Sequence, residues 1–88
     1  MRLDKFLKVS RLIKRRTVAK DIADKAHIFV NDHPAKPAKE LKVGDRITIE
    51  YLNRSVIVEV VKIPTGNVAV QEAKDLYDLV EEIIHEKI

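Results

Sequence analysis

The stretch R-L-D-K-F-L-K-V-S-R-L-I-K-R-R-T-V-A-K-D-I-A, residues 2–23, decides how this chain is read. Leu3, Phe6 and Leu7 recur at helical spacing, with Asp4 where an N-terminal cap or a first-turn carboxylate is favoured. That predicts a short first helix ending at about Ser10. Val18, Ala19, Ile22, Ala23 and Ala26 then repeat at three- and four-residue steps and gather on one face, which predicts a second helix beginning between Arg15 and Thr17. On its wheel Arg16 and Lys20 border the apolar stripe, while Asp21 and Asp24 fall on the outer side.

Charge is laid over the same residues. Positions 1–20 hold eight cations (Arg2, Lys5, Lys8, Arg11, Lys14, Arg15, Arg16 and Lys20) against Asp4 alone, a net of +7, although the whole chain is only +3. Residues 1–46 sum to +7, residues 47–70 to zero and residues 71–88 to −4. Such a charge dipole attracts a polyanion to the first half and turns the tail away from it. Lys14-Arg15-Arg16 also sits at the predicted start of a helix, the unfavourable end for cations. A bound phosphate reverses that sign, because free backbone N–H groups and guanidinium forks then both face an anion.

With 88 residues the chain suits one small domain, and 45% hydrophobic against 35% charged residues allow a core within a soluble protein. No cysteine is present, which removes disulfides, thiolate nucleophiles and cysteine-ligated zinc and fits a cytoplasmic setting. There is no apolar run of membrane-spanning length and no signal-peptide core, so no membrane association is expected. A monomer is expected.

Downstream, Ile28-Phe29-Val30 reads as a strand running into a tight turn at Asn31-Asp32, followed by a loop containing Pro34 and Pro37. Val43-Gly44-Asp45 makes a second turn. Ile47, Ile49 and Tyr51 then alternate with polar residues as in a half-buried strand. Its partner is expected over residues 55–62, joined through 52–54, with a short further strand at 68–70 after the Pro64–Asn67 break. From about Gln71, Ala73, Leu76, Tyr77, Val80, Ile83 and Ile84 return to helical spacing beside Glu72, Asp75, Asp78, Glu81, Glu82 and Glu86, predicting an acidic amphipathic helix. The expected organisation is a core over 1–50, a hairpin extension over 51–70 and a C-terminal helix over 71–88.

Catalysis finds little support. His27, His33 and His85 fall in three different elements without metal-ligand spacing, no Ser stands as a plausible nucleophile, and no Gly-rich phosphate loop occurs. No cofactor, no metal and no enzymatic activity are expected. Tyr51 could stack on a base, but its alternation with Ile47 and Ile49 favours packing.

Four motifs in order, R-L-D-K-F-L, K-R-R-T-V-A-K-D-I-A, I-F-V-N and V-G-D-R-I, resemble the S-four RNA-binding domain over about residues 1–50. The resemblance implies an α+β, alpha-L fold in which two N-terminal helices pack on a small, mainly antiparallel sheet and form one RNA-binding face. Arg2, Asp4, Arg16 and Asn31 match the family's motif positions most directly, and Ala26 and Asp32 stand where it usually has glycine. The RNA-binding set is therefore expected to be Arg2, Asp4, Lys5, Lys8, Arg11, Lys14, Arg15, Arg16, Lys20 and Asn31, with Asp4 orienting the first helix or pairing with a neighbouring arginine.

As a whole the chain resembles the short stand-alone group of RqcP (YabO) type. That implies binding to large ribosomal subunits obstructed by peptidyl-tRNA, through helix sixty-nine of the large-subunit rRNA and the P-site tRNA. It also implies support of an RqcH-type factor that adds C-terminal alanine tails. The alternatives are a heat-shock-type factor that recycles blocked large subunits, or a generic accessory module of the same domain. The fifteen-kilodalton heat shock relative has a basic C-terminal extension, whereas this chain ends acidic.

Overall fold

A computed structural model of the chain describes residues 1–13, 27–51 and 54–84. The expected second helix lies outside these residues, as do the four cations Lys14, Arg15, Arg16 and Lys20. The first helix is present as α1, Leu3–Val9, seven residues long. So short a helix is marginal in water and needs tertiary support. It buries Leu3, Phe6 and Leu7 completely, each worth about 1.5–3 kcal/mol of transfer free energy. Two of its otherwise orphaned first-turn donors find backbone acceptors: Leu3 N–H bonds Lys39 O at 2.8 Å and Asp4 N–H bonds Pro37 O at 3.1 Å.

The helix ends on an unusual residue. Arg11 adopts φ 61°, in the left-handed region where glycine is the usual choice after a helix. Its N–H returns to Lys8 O at 3.0 Å, and that of Ile13 to Leu7 O at 3.0 Å, so two late carbonyls of α1 are satisfied.

Five strands form an antiparallel sheet among the described residues: β1 Ile28–Val30, β2 His33–Pro34, β3 Arg46–Glu50, β4 Arg54–Val60 and β5 Tyr77–Ile84, in the order β2-β1-β3-β4-β5. Cross-strand rows Val30–Ile47–Val58 and Ile28–Ile49–Val56 line its inner face and join Leu3, Phe6 and Leu7 in one core. The expected hairpin partner of β3 is thus found as β4, which begins at Arg54, expected in the connection, and ends at Val60. His33–Pro34, expected as loop, is instead the second strand of a two-residue hairpin. Asn31 and Asp32, at φ 51° and 68°, supply the two left-handed residues that a type I′ turn needs. Pro34 is tolerated there because β2 is an edge strand.

Two expectations for the last third are corrected. No strand forms over 68–70; Val70 opens a 3-10 helix, Val70–Leu76, that buries Ala73 and Leu76. Over residues 77–84 the acidic helix is replaced by β5, which pairs with β4 along its length. Without β5 the seven-residue β4, whose Val58 and Val60 are fully buried, would leave its outer ladder groups unpaired. Val80, Ile83 and Ile84 are β-branched and favour that state.

The misleading spacing has a cause. Ile57 faces Glu81 and Val58 faces Leu79, so Val80 is the extra residue of a β-bulge. The bulge resets the alternation and brings Tyr77 and Leu79 onto the same face as Glu82 and Ile84, opposite Val60, Val58, Val56 and Arg54.

Candidate nucleic-acid interface

Helical geometry sorts α1 into two sides. Leu3, Asp4, Phe6, Leu7 and Ser10 are buried, while Arg2, Lys5 and Lys8, three residues apart, are exposed on the opposite side. Arg11 follows, exposed, on the left-handed turn. The result is a row of four cations along a short helix and the residues that flank it.

Asp4 anchors one end of that row. Its side chain is only 3% exposed, against 47% for Arg2. Arg2 Nη2 donates to Oδ2 at 3.3 Å and Nε lies 3.3 Å from Oδ1, so the guanidinium pairs with the carboxylate through two contacts. Oδ1 also accepts the Lys5 N–H at 2.8 Å. A buried carboxylate thus holds a half-exposed guanidinium whose remaining N–H groups stay available to an anion.

Sequence reading missed the neighbouring cations. Residues 37–41 are hydrogen-bonded to residues 1–4, through the Leu3 and Asp4 bonds above, Leu41 N–H to Met1 O at 3.0 Å, and a bridge between Arg2 and Glu40. Exposed Lys36, Lys39 and Lys42 are thereby carried to the N-terminal end of α1. Their spacing in K-P-A-K-E-L-K was visible, but nothing local says that this loop returns to the first residues. Glu40 is the acid among them, and it is engaged: the Met1 ammonium lies 2.8 Å from Oε2. That hydrogen bond, with the ammonium charge behind it, holds the Glu40 carboxyl below the ordinary value.

Asn31 has a structural occupation. Its Nδ2 donates to Asp45 Oδ1 at 3.1 Å and its Oδ1 accepts the Arg46 N–H at 3.0 Å, while its own N–H bonds Arg46 O at 2.9 Å. Asp45 in turn accepts the Lys42 N–H at 2.8 Å through Oδ2. The amide therefore ties the β1–β2 turn to the Val43–Gly44 turn, where Gly44 adopts φ 94°. Lys14, Arg15, Arg16 and Lys20 lie outside the described residues.

Tyr51 packs partly against the core, with the Arg54 guanidinium carbon 4.8 Å from its ring centroid. Burial raises the phenol above its ordinary value, and the nearby Arg54 charge opposes the rise. No cluster of three or more metal-ligating side chains occurs among the described residues. No helix among them is long and apolar enough to cross a membrane.

Comparison with known proteins agrees with this geometry. A family model for the S4 domain matches residues 1–47. The chain is similar to the RQC P-site tRNA stabilizing factor of Streptococcus pneumoniae, at 45% identity over 93% of this chain and 92% of that protein. It is also similar to the factor of the same name from Bacillus subtilis, at 44% identity over 93% and 94% of the two chains. Among solved structures, trimeric Heat Shock Protein 15 of Vibrio cholerae superposes with a TM-score of 0.80 at 28% identity, covering 91% of this chain and 81% of that one.

Proposed function

The chain belongs to the S4-domain family and, within it, to the group of RQC P-site tRNA stabilizing factors, and from that premise we propose that it is a non-catalytic RNA-binding factor of ribosome-associated quality control. It binds large ribosomal subunits that still carry peptidyl-tRNA, contacts the rRNA and the P-site tRNA, and holds that tRNA in place while an RqcH-type factor adds alanine to the stalled chain. The protein works as a cytoplasmic monomer and as one domain, with residues 1–50 as its RNA-binding core.

The observation that carries this reading is the exposed row Arg2–Lys5–Lys8–Arg11, fixed at one end by buried Asp4 and widened by Lys36, Lys39 and Lys42. Such a surface neutralises phosphates and reads the shape of folded RNA more than its base sequence. Lys14, Arg15, Arg16 and Lys20 also bind RNA in this proposal, while Asn31 serves the surface indirectly by holding the turn beside β3.

The test is an alanine-tailing reaction on purified obstructed large subunits with the tailing factor, run with and without this protein. Tails lengthen when it is added. Tail length that does not respond overturns the proposal, and turnover in a pseudouridylation or aminoacylation assay overturns its non-catalytic part. A second reading has the Heat Shock Protein 15 likeness behind it: recycling of blocked large subunits. Release of the peptidyl-tRNA in the same reaction would favour it.

A further inference from the structure

A cleft of about 260 Å3 opens on the inner side of the sheet where β4 and β5 pair. Its floor is apolar, built from Leu12, Val56 and Leu79 over buried Val58. Tyr51 and Tyr77 contribute aromatic walls, and Arg11 and Arg54 contribute cations at the rim. We infer that this cleft is a binding site for an unstacked base of single-stranded RNA, an inference that rests on the RNA-binding reading above.

Three features of the cleft point to a base. A nucleobase is a flat ring that gains most from an apolar floor and a π-face, and its phosphate must lie beside it. Here the floor and two tyrosines are within one small volume, flanked by two guanidinium groups and by the Glu82 carboxylate, which is paired with Arg54. Arg54 is placed by its strand and its partners. Its carbonyl accepts the Tyr51 N–H at 2.7 Å, its guanidinium lies over the Tyr51 ring, and Nη1 reaches Glu82 Oε1 at 3.4 Å. The exposed guanidinium plane is a second surface on which a base can stack.

Continuity with the basic row gives the cleft its place in the interface. Arg11 is both the last cation of the row along α1 and part of the cleft wall. Its left-handed backbone turns the chain at that point. A strand whose phosphates follow Arg2, Lys5 and Lys8 therefore arrives at the cleft with Arg11 beside it. The protein thus adds one nucleotide that is read by stacking to a surface that otherwise reads phosphates.

The experiment uses the full chain and a single-stranded RNA of about ten nucleotides carrying one 2-aminopurine, followed by anisotropy for binding and by emission for stacking. Wild-type protein quenches the probe at saturation. Tyr77→Leu and Arg54→Gln each weaken binding about tenfold and lose the quenching, whereas Tyr77→Phe, which keeps the ring, retains it. Arg54 is exposed, so its replacement keeps the test valid if Tyr77→Leu fails to fold. Lys5→Ala weakens binding but leaves emission at saturation unchanged. If wild type binds without quenching, or if Arg54→Gln quenches equally, the inference is overturned and the cleft is left to a protein segment. Absence of any binding overturns the inference, while the alanine-tailing reaction tests the RNA-binding reading separately.

Discussion

Arg2 and Asp4 meet through two contacts of 3.3 Å, one from Nε and one from Nη2, with the carboxylate buried and the guanidinium half exposed. The pair joins folding to recognition. Asp4→Ala removes the acceptor of both contacts and of the Lys5 N–H, and is expected to cost about 1–3 kcal/mol, read as a lower urea midpoint. Affinity for RNA falls with it, because the Arg2 fork loses its orientation.

Lys5 and Lys8 lie on the exposed side of α1, so their removal separates binding from folding. Lys5→Ala and Lys8→Ala are each expected to change stability by no more than about 0.5 kcal/mol. Each lowers the slope of log affinity against log salt by roughly one. Titration of RNA at several salt concentrations reads both effects; an unchanged slope places the phosphates elsewhere.

Arg11 offers a substitution in which the two properties move in opposite directions. At φ 61° it stands where glycine is favoured, so Arg11→Gly is expected to gain roughly 1 kcal/mol of stability. The same change removes a cation and weakens RNA binding. Thermal unfolding and RNA titration on one preparation check the divergence.

Asn31 and Asp32 make a matched pair of tests. Asp32→Gly relieves a left-handed backbone at φ 68° and is expected to stabilise by about 1 kcal/mol. Asn31→Ala loses the Asp45 and Arg46 bonds and is expected to destabilise by about 1–2 kcal/mol. Denaturant midpoints of the two variants should lie on opposite sides of wild type.

Tyr51 and Glu40 set opposite ends of the pH response. Tyr51 is raised by burial above the ordinary phenol value, so its contribution is complete below that value and is lost as pH rises through the folded one. Arg54→Gln removes the opposing charge and moves the phenolate absorbance transition further up. Glu40 is lowered from 4.5 by the Met1 ammonium, so its contribution is present above that value and is lost as pH falls through the folded one. N-terminal acetylation removes the largest cause of the lowering and moves the Glu40 carboxyl up, which carbon-detected titration reads.

Much of the fold was legible because local pattern and tertiary role agree. Leu3, Phe6 and Leu7 at helical spacing became the buried side of α1, and Ile47 and Ile49 at alternate positions became the inner face of β3. Asp4, expected to orient the first helix or to pair with a neighbouring arginine, pairs with Arg2. What was hidden depends on partners far away in sequence. The bulge at Val80 broke the alternation of β5, and only the exposed edge of β4 calls for a strand there. Lys36, Lys39 and Lys42 joined the interface through backbone bonds to residues 1–4, a closure that no local spacing encodes. Asn31 carried a family motif, yet its amide is spent on Asp45 and Arg46.

In the proposed function, the row along α1 docks this protein on obstructed large ribosomal subunits. Sucrose-gradient sedimentation of lysate, comparing wild type with an Arg2→Ala/Lys5→Ala/Lys8→Ala variant of equal folded fraction, tests it most directly. Wild type should co-migrate with free large subunits while the variant stays at the top of the gradient. Equal co-migration of the two would show that the row along α1 is not the docking surface.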